Sequence, residues 1–366
     1  MTSRDAPARG FTDTFWLQWH LTDACNLACR HCYRAADASG GERSLEELEG
    51  VLGRYLDFLD AHGLAGRGRI QLAGGEPLLA RSLLPLLERA RDLGVPCRVL
   101  SNGTTATPTL ARDLAAAQVR IVQVSLDGDV VHHDALRGEG AFDRALAGAR
   151  ALAESGIEVT VAATLCRENA NQIIPIINAA VDSGASRVAF SRLVPQGAGA
   201  DLRDELLSPE EWLKAQVTML EAARRRGIAL MPRDPTFTLL LSGPGRDGPV
   251  VVSGCAAGYN GLAVEPDGTV YPCRRLPIAV GNVFEDDLET LWSSPVLEAL
   301  RQRDELRGAC GRCDLRWRCG GCRGIAYALS GDMMGEDPQC PLRAGLAGRT
   351  WSWARRRWHR FRWENL

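Results

Sequence analysis

Short apolar stretches alternate with amphipathic ones through the first half of the chain. The run FWLQWHL at residues 15–21 reads as a buried strand, because aromatic side chains suit a covered pleated surface. Ser44 lies three residues before Glu47, the spacing of a capping box, and predicts a helix from there to about residue 62. Further strands follow at 69–73, 97–101, 119–125, 157–165 and 187–193. Helices at about 80–93, 108–117, 141–155 and 169–183 separate them. Six strand–helix units in series predict a parallel sheet covered by helices. Right-handed crossovers curl such a sheet into an open or partial barrel, with functional loops at the carboxyl ends of the strands.

Past Pro195 the alternation stops. One more helix is predicted at about 208–226, followed by SGPGRDGP, which reads as a linker or mobile loop. Beyond it, LAVEPDGTVYPC at 262–273 reads as a β-hairpin turning at Pro266-Asp267-Gly268. No long internal repeat is present. The expected organisation is a barrel over 11–200, a bridging helix and linker over 201–254, a cysteine-rich unit over 255–345 and a tail over 346–366.

Composition narrows the class. The chain has 366 residues, 45% apolar and 24% charged, which is ordinary for a globular protein. Its 43 basic and 45 acidic side chains leave a net charge of −2, which argues against a chain-wide nucleic-acid footprint. No apolar run approaches the roughly 20 residues of a membrane span, and MTSRDAPARG has no signal-peptide core. A cytoplasmic enzyme is the expectation. Thiols there stay reduced, so the 12 cysteines point to metal or catalysis rather than to a disulfide scaffold.

Their spacing carries the chemistry. Cys25-x3-Cys29-x2-Cys32 places three thiolates in one loop just after the first strand. A cubane iron–sulfur cluster normally takes four cysteines, so three leave one metal position open, as a catalytic site requires. The alternative is a zinc site borrowing His20 or His31, although tetrahedral zinc favours paired CxxC units. With Tyr33 beside the last cysteine, the motif resembles the signature of radical S-adenosylmethionine (SAM) enzymes. Gly74-Gly75-Glu76-Pro77 after the second predicted strand matches the GGEP loop of that family. The resemblance implies a [4Fe-4S] cluster whose open iron binds the amino and carboxylate groups of SAM. Reductive cleavage then gives a 5′-deoxyadenosyl radical that abstracts hydrogen from substrate.

The resemblance also implies roles for particular residues. Gly74 and Gly75 let the backbone approach a ligand closely, and Glu76 accepts hydrogen bonds from the cofactor ammonium, the alternative being a plain turn. Ser101 and Asn102, in Ser101-Asn102-Gly103-Thr104, match a loop often written TNGT. Ser125 and Asp127 correspond to positions near the ribose, and Arg137 to one that meets the cofactor carboxylate. Ser101 and Asn102 could equally be turn residues, and Arg137 a surface ion pair. The resemblance spans roughly residues 15–195 and implies a partial (β/α)6 TIM-like barrel.

The C-terminal cysteines read Cys255-x17-Cys273, Cys310-x2-Cys313-x5-Cys319-x2-Cys322 and Cys340. Thiolate-only sets suit iron–sulfur clusters or zinc. Next to a radical SAM unit the pattern resembles the SPASM extension, which implies two auxiliary [4Fe-4S] clusters and three in all. The family's interleaved ligation would give Cys310, Cys313, Cys319 and Cys340 to one cluster, and Cys255, Cys273 and Cys322 to the other. No cysteine lies in the 88 residues between Cys166 and Cys255 to complete the second set, so that cluster is expected to hold an open iron, a non-cysteine ligand or a substrate atom. Cys97 and Cys166 sit in apolar runs and are expected in the core.

SPASM-type enzymes mostly modify peptides, so the resemblance implies a maturase forming a crosslink or other oxidative change on a ribosomally made peptide. Sulfatase-maturating members carry an acidic residue after the cysteine matching Cys273, where this chain has Arg274. That alternative and a small-molecule radical SAM dehydrogenase stand behind the first reading. An iron–sulfur electron carrier or redox sensor is the non-enzyme alternative, against which the GGEP loop argues. Many maturases begin with a peptide-recognition domain, but only 14 residues precede the first strand. Leader binding is therefore expected from elsewhere or from a separate leader-recognition protein, and electrons from a donor such as flavodoxin or ferredoxin. The tail RTWSWARRRWHRFRWENL interleaves four tryptophans with six arginines. It is a candidate partner-binding or membrane-surface segment, or one that packs on the barrel.

Overall fold

The computed structural model describes residues 14–34, 41–241 and 254–343. The stretch read as a linker and the Arg/Trp-rich tail lie outside the described residues.

In chain order the barrel comprises β1 (Phe15–His20), α1 (Leu45–Ala61), β2 (Gly68–Ala73), α2 (Leu83–Asp92), β3 (Cys97–Ser101), α3 (Pro108–Ala116) and β4 (Ile121–Ser125). It continues with α4 (Val130–Arg137), α5 (Ala141–Glu154), β5 (Glu158–Leu165), α6 (Ile173–Asp182), β6 (Arg187–Arg192), α7 (Pro209–Arg226), β7 (Ala229–Pro232) and α8 (Phe237–Leu241). The expected strands β1–β6 are all parallel to their neighbours. Ser44 and Glu47 cap α1 reciprocally, and α1 buries Leu48, Val51, Leu52, Tyr55, Phe58 and Leu59 against the sheet.

Three barrel elements, β7, α4 and α8, were not expected. β7 pairs parallel with β6, but its four residues are too few to show a period. In α4, the helix VVHHDALR starts at Asp129, whose side chain accepts from the His132 amide, and Arg137 occupies its last turn.

The cysteine-rich unit contains β8 (Gly261–Val264), β9 (Thr269–Tyr271), β10 (Gly281–Asn282), α9 (Leu288–Trp292), α10 (Pro295–Arg301), α11 (Gly308–Gly311) and α12 (Arg323–Ser330). The hairpin forms as expected, with Gly268 at φ +92 in its turn. β8 also pairs parallel with β1, so one sheet runs in the order β10-β9-β8-β1-β2-β3-β4-β5-β6-β7. Gly261 permits this pairing, because a Cβ there would lie 2.2 Å from the Trp16 carbonyl oxygen.

Side chains of β1 alternate between two environments. Phe15, Leu17 and Trp19 are buried in the apolar layer, where the Phe15 ring meets Phe58 of α1 at 5.2 Å and Trp292 of α9 at 5.0 Å. Trp16, Gln18 and His20 take the other face, the inside of the barrel.

Candidate active site

The loop carrying Cys25, Cys29 and Cys32 leaves the carboxyl end of β1 and docks on the end of β2. The Gly75 amide donates to Thr22 O at 2.7 Å and the Glu76 amide to Ala24 O at 2.8 Å. A Cβ at Gly74 would lie 2.5 Å from Thr22 O, and one at Gly75 2.3 Å from Ala24 O. Gly74 also sits at φ +143, a backbone that L side chains rarely adopt. The close approach these glycines permit is thus that of the cysteine loop itself. Two more amide bonds hold the loop, from Arg30 to Leu136 O and from Gly199 to Cys32 O, each 2.9 Å.

Glu76 is fully buried and knots β2 to β3. Its Oε1 accepts from Ser101 Oγ at 2.8 Å and from the Leu78 amide at 3.1 Å, capping the short 3₁₀ turn at Pro77. Its Oε2 accepts from the Asn102 amide at 2.7 Å, the one protein donor found for that oxygen among the described residues. Burial raises the carboxyl pKa, and these donors oppose the rise. The Asn102 side chain reaches the cysteine loop, with Nδ2 2.9 Å from Asn26 Oδ1 and 4.0 Å from Cys25 Sγ. Ser125 is half-buried, and its hydroxyl lies 3.4 Å from Ser101 O.

Asp127, expected near the ribose, is fully buried with both oxygens engaged. Oδ1 accepts from the Thr164 amide at 2.8 Å, while Oδ2 meets Arg137 Nε at 2.5 Å and His31 Nε2 at 3.2 Å. Burial alone would raise its pKa, but the Arg137 and His31 charges outweigh it and hold the carboxyl far below its usual range. Arg137 is therefore no surface ion pair, and its Nη1 lies 3.8 Å from Cys29 Sγ. The Asp127 amide donates to His133 Nδ1 at 3.1 Å. Asn26 and Thr164 escaped sequence reasoning, which considered His31 only as a possible zinc ligand.

Tyr33 stands on the other side of the loop, its hydroxyl 3.3 Å from His20 Nε2. His20 Nδ1 lies 2.8 Å from Glu265 Oε1, and Glu265 also receives Arg34 Nη1 at 2.7 Å. Arg34 pairs in turn with Asp23. Glu265 begins the β8–β9 turn, so the C-terminal unit braces the base of the cysteine loop.

The remaining ligand candidates fall into two groups. Cys310, Cys313, Cys319 and Cys340 line one cavity of about 200 Å³. Three of their sulfurs face backbone amides at 3.4 Å: Cys310 Sγ the Asp337 amide, Cys313 Sγ that of Leu315 and Cys319 Sγ that of Gly321. Amides on sulfur are a lever by which proteins tune iron–sulfur clusters. Cys255, Cys273 and Cys322 line a second cavity of about 210 Å³, shared with Trp16, Gln18 and Arg274. No fourth cysteine lines it among the described residues. Both thiol sets fit iron–sulfur clusters in donor type, the first with the four thiols of a cubane and the second with three. No three His, Cys, Asp or Glu side chains among the described residues gather tightly enough for a single metal ion. Cys166 is buried and Cys97 half-buried in β3, and burial pushes the Cys97 thiol up to about 12.

A buried ion network joins barrel to cysteine unit. Arg192, at the end of β6, meets Asp234 at 2.8 Å and Asp337 at 2.8 Å, all three fully buried. Asp337 also accepts from the Cys322 amide at 2.9 Å, while its own amide faces Cys310 Sγ, so one residue contacts both thiol sets.

Comparison with known proteins agrees with this arrangement. Residues 19–180 match the radical SAM superfamily, and residues 255–314 match the SPASM iron–sulfur cluster-binding domain. The chain is 31% identical to an AdoMet-dependent heme synthase of Methanosarcina barkeri, over 90% of this chain and 97% of that protein. It is also 31% identical to the mycofactocin maturase MftC of Mycolicibacterium smegmatis, over 91% of this chain and 84% of that one. Among solved structures, Streptococcus suis SuiB bound to its precursor peptide SuiA shares the fold, with a TM-score of 0.72 at 17% identity over 87% of this chain and 73% of that one. The cysteine loop on β1, the GGEP knot on β2 and the cysteine cavities beyond β7 accordingly belong to an enzyme of the radical SAM superfamily with a C-terminal SPASM domain.

Proposed function

We propose that this enzyme abstracts hydrogen from a ribosomally made peptide and leaves it crosslinked or otherwise oxidised. Cys25, Cys29 and Cys32 would hold the SAM-binding [4Fe-4S] cluster, Cys310, Cys313, Cys319 and Cys340 a fully ligated auxiliary cluster, and Cys255, Cys273 and Cys322 an under-ligated one. The first cluster, when bound and reduced by a donor such as flavodoxin or ferredoxin, supplies the electron that splits SAM into methionine and the 5′-deoxyadenosyl radical. The chain's own residues orient that chemistry. The free lone pair of Glu76 Oε2 accepts the cofactor ammonium, Arg137, aimed by Asp127, meets its carboxylate, and Asn102 and Ser125 line the cofactor's side of the barrel mouth.

One observation carries the substrate-facing part of this reading: the cavity lined by Cys255, Cys273 and Cys322 is also walled by Trp16 and Gln18 of β1. The under-ligated set therefore borders the barrel interior, where substrate would lie. Similarity to a maturase, MftC, supports a peptide. A second reading, radical chemistry on a heme precursor, is favoured by the similarity to heme synthase, which extends over 97% of that protein.

The test is anaerobic incubation with a short peptide encoded beside the gene, with tetrapyrrole heme precursors in parallel. Loss of two hydrogens from the peptide by mass spectrometry, coupled to 5′-deoxyadenosine, is the expected result. An unchanged peptide beside a consumed tetrapyrrole would replace the first reading with the second.

A further inference from the structure

Filled barrels carry bulky branched side chains inside, but the inner wall here is polar. Gln18, Gln71 and Arg98 stand in one register row across β1, β2 and β3. Gln71 Nε2 and Arg274 Nη1 both donate to Gln18 Oε1, each at 3.0 Å. The Arg98 guanidinium lies over the Trp16 ring, 3.8 Å from its centroid. Arg233, one residue past β7, joins Trp16, Gln18 and Arg274 in the wall of the cavity described above.

Among the described residues no carboxylate pairs with Arg98, Arg233 or Arg274, and the Nε atoms of Arg98 and Arg233 are buried without a hydrogen-bond partner. All three arginines are half-buried, and withdrawing cations from water without anions is unfavourable. Burial, with repulsion from Arg233, Arg274 and Arg187, pulls the Arg98 guanidinium down to about 8. Neutralising the auxiliary cluster does not account for Arg98. The arginine that faces Cys273 and Cys322 is Arg275, whereas the charged neighbours of Arg98 are all arginines.

We propose that Arg98, Arg233 and Arg274 form the recognition site for a substrate that presents two or more carboxylates inside the barrel. Planar guanidinium forks match carboxylates two bonds at a time, and the Gln18 and Gln71 amides complete a wall of donors. Carboxylates from acidic peptide side chains or from a compact polyacid would satisfy it equally. This inference rests on the reading of the barrel interior as the substrate space.

The test is anaerobic calorimetry on the reconstituted holoenzyme with four probes: propane-1,2,3-tricarboxylate, its triamide, tetraglutamate and pyrophosphate. At least one carboxylate probe should bind, and which of the two does so identifies the source. The triamide should not bind. Arg98→Gln and Arg233→Gln should each weaken binding about 10- to 100-fold, the range of a lost charged hydrogen bond. Arg98→Lys, which keeps the charge, should lose less, and the exposed Arg225→Gln on α7 should lose nothing. Failure of both carboxylate probes to bind, equal affinity of wild type and the Gln variants, or pyrophosphate binding as tightly as the carboxylates would overturn the proposal. SAM cleavage measured on the same wild-type preparations separates the two claims. Lost cleavage with intact anion binding counts against the reaction, and the reverse counts against this site.

Discussion

The carboxylate of Asp127 is shared by Arg137, His31 and the Thr164 amide, and that sharing decides where Arg137 points. Asp127→Asn would leave the Arg137 guanidinium buried without its counter-charge, at a cost of about 3 kcal/mol. Both thermal stability and SAM affinity should fall, measured by calorimetry on the wild type and variant. Unchanged SAM affinity would mean that Arg137 needs no aiming. His133 gives the site a pH signature. Burial, helped by the Arg137 charge, pulls its imidazole down to about 4, whereas the unfolded chain takes up that proton near pH 6.5. Its contribution is whole above pH 6.5 and is lost as pH falls toward 4. On the order of 3 kcal/mol is at stake, so His133→Gln should flatten the acid limb of denaturant-midpoint stability. An identical slope in the variant would refute the assignment.

At the scale of elements, two glycine contacts decide assembly. Gly75 lets the loop after β1 seat on β2, so Gly75→Val should lift the cysteine loop and reduce iron loading and SAM cleavage together, while the auxiliary irons remain. Gly261 lets β8 lie beside β1, and Gly261→Val should lower the melting temperature and expose β1 as a sheet edge, seen as concentration-dependent aggregation by light scattering. Normal solubility and melting would show that this pairing is dispensable. The six parallel strands were legible in the sequence because each is a short apolar run bounded by turn residues. The four residues of β7 and the polar helix α4 were not, since neither shows a clear period. The GGEP and cysteine motifs announced themselves by local spacing. Asn26, Glu265 and the pairing of His31 with Asp127 did not, because their partners come from loops distant in the chain, and the docking role of Gly75 needed the β1 loop in place.

For the molecule as a whole, a single sheet carries the Cys25, Cys29 and Cys32 loop at one end of β1 and brings the Cys255, Cys273 and Cys322 cavity beside the same strand. The hairpin supplies Glu265 to the base of the first site, and Arg192 ties β6 to Asp337 between the two auxiliary cavities. No helix among the described residues is long and apolar enough to cross a membrane. The proposed function differs from that of a passive iron–sulfur protein in requiring SAM cleavage at the Cys25, Cys29 and Cys32 loop. The most direct measurement is 5′-deoxyadenosine formation by the anaerobically reconstituted, dithionite-reduced chain, with iron counted on the same samples. The wild type should hold about twelve irons and form 5′-deoxyadenosine, and the Cys25→Ala, Cys29→Ala, Cys32→Ala triple variant should keep about eight and form none. Equal 5′-deoxyadenosine from both, or a wild-type protein that takes up zinc and no iron, would contradict it.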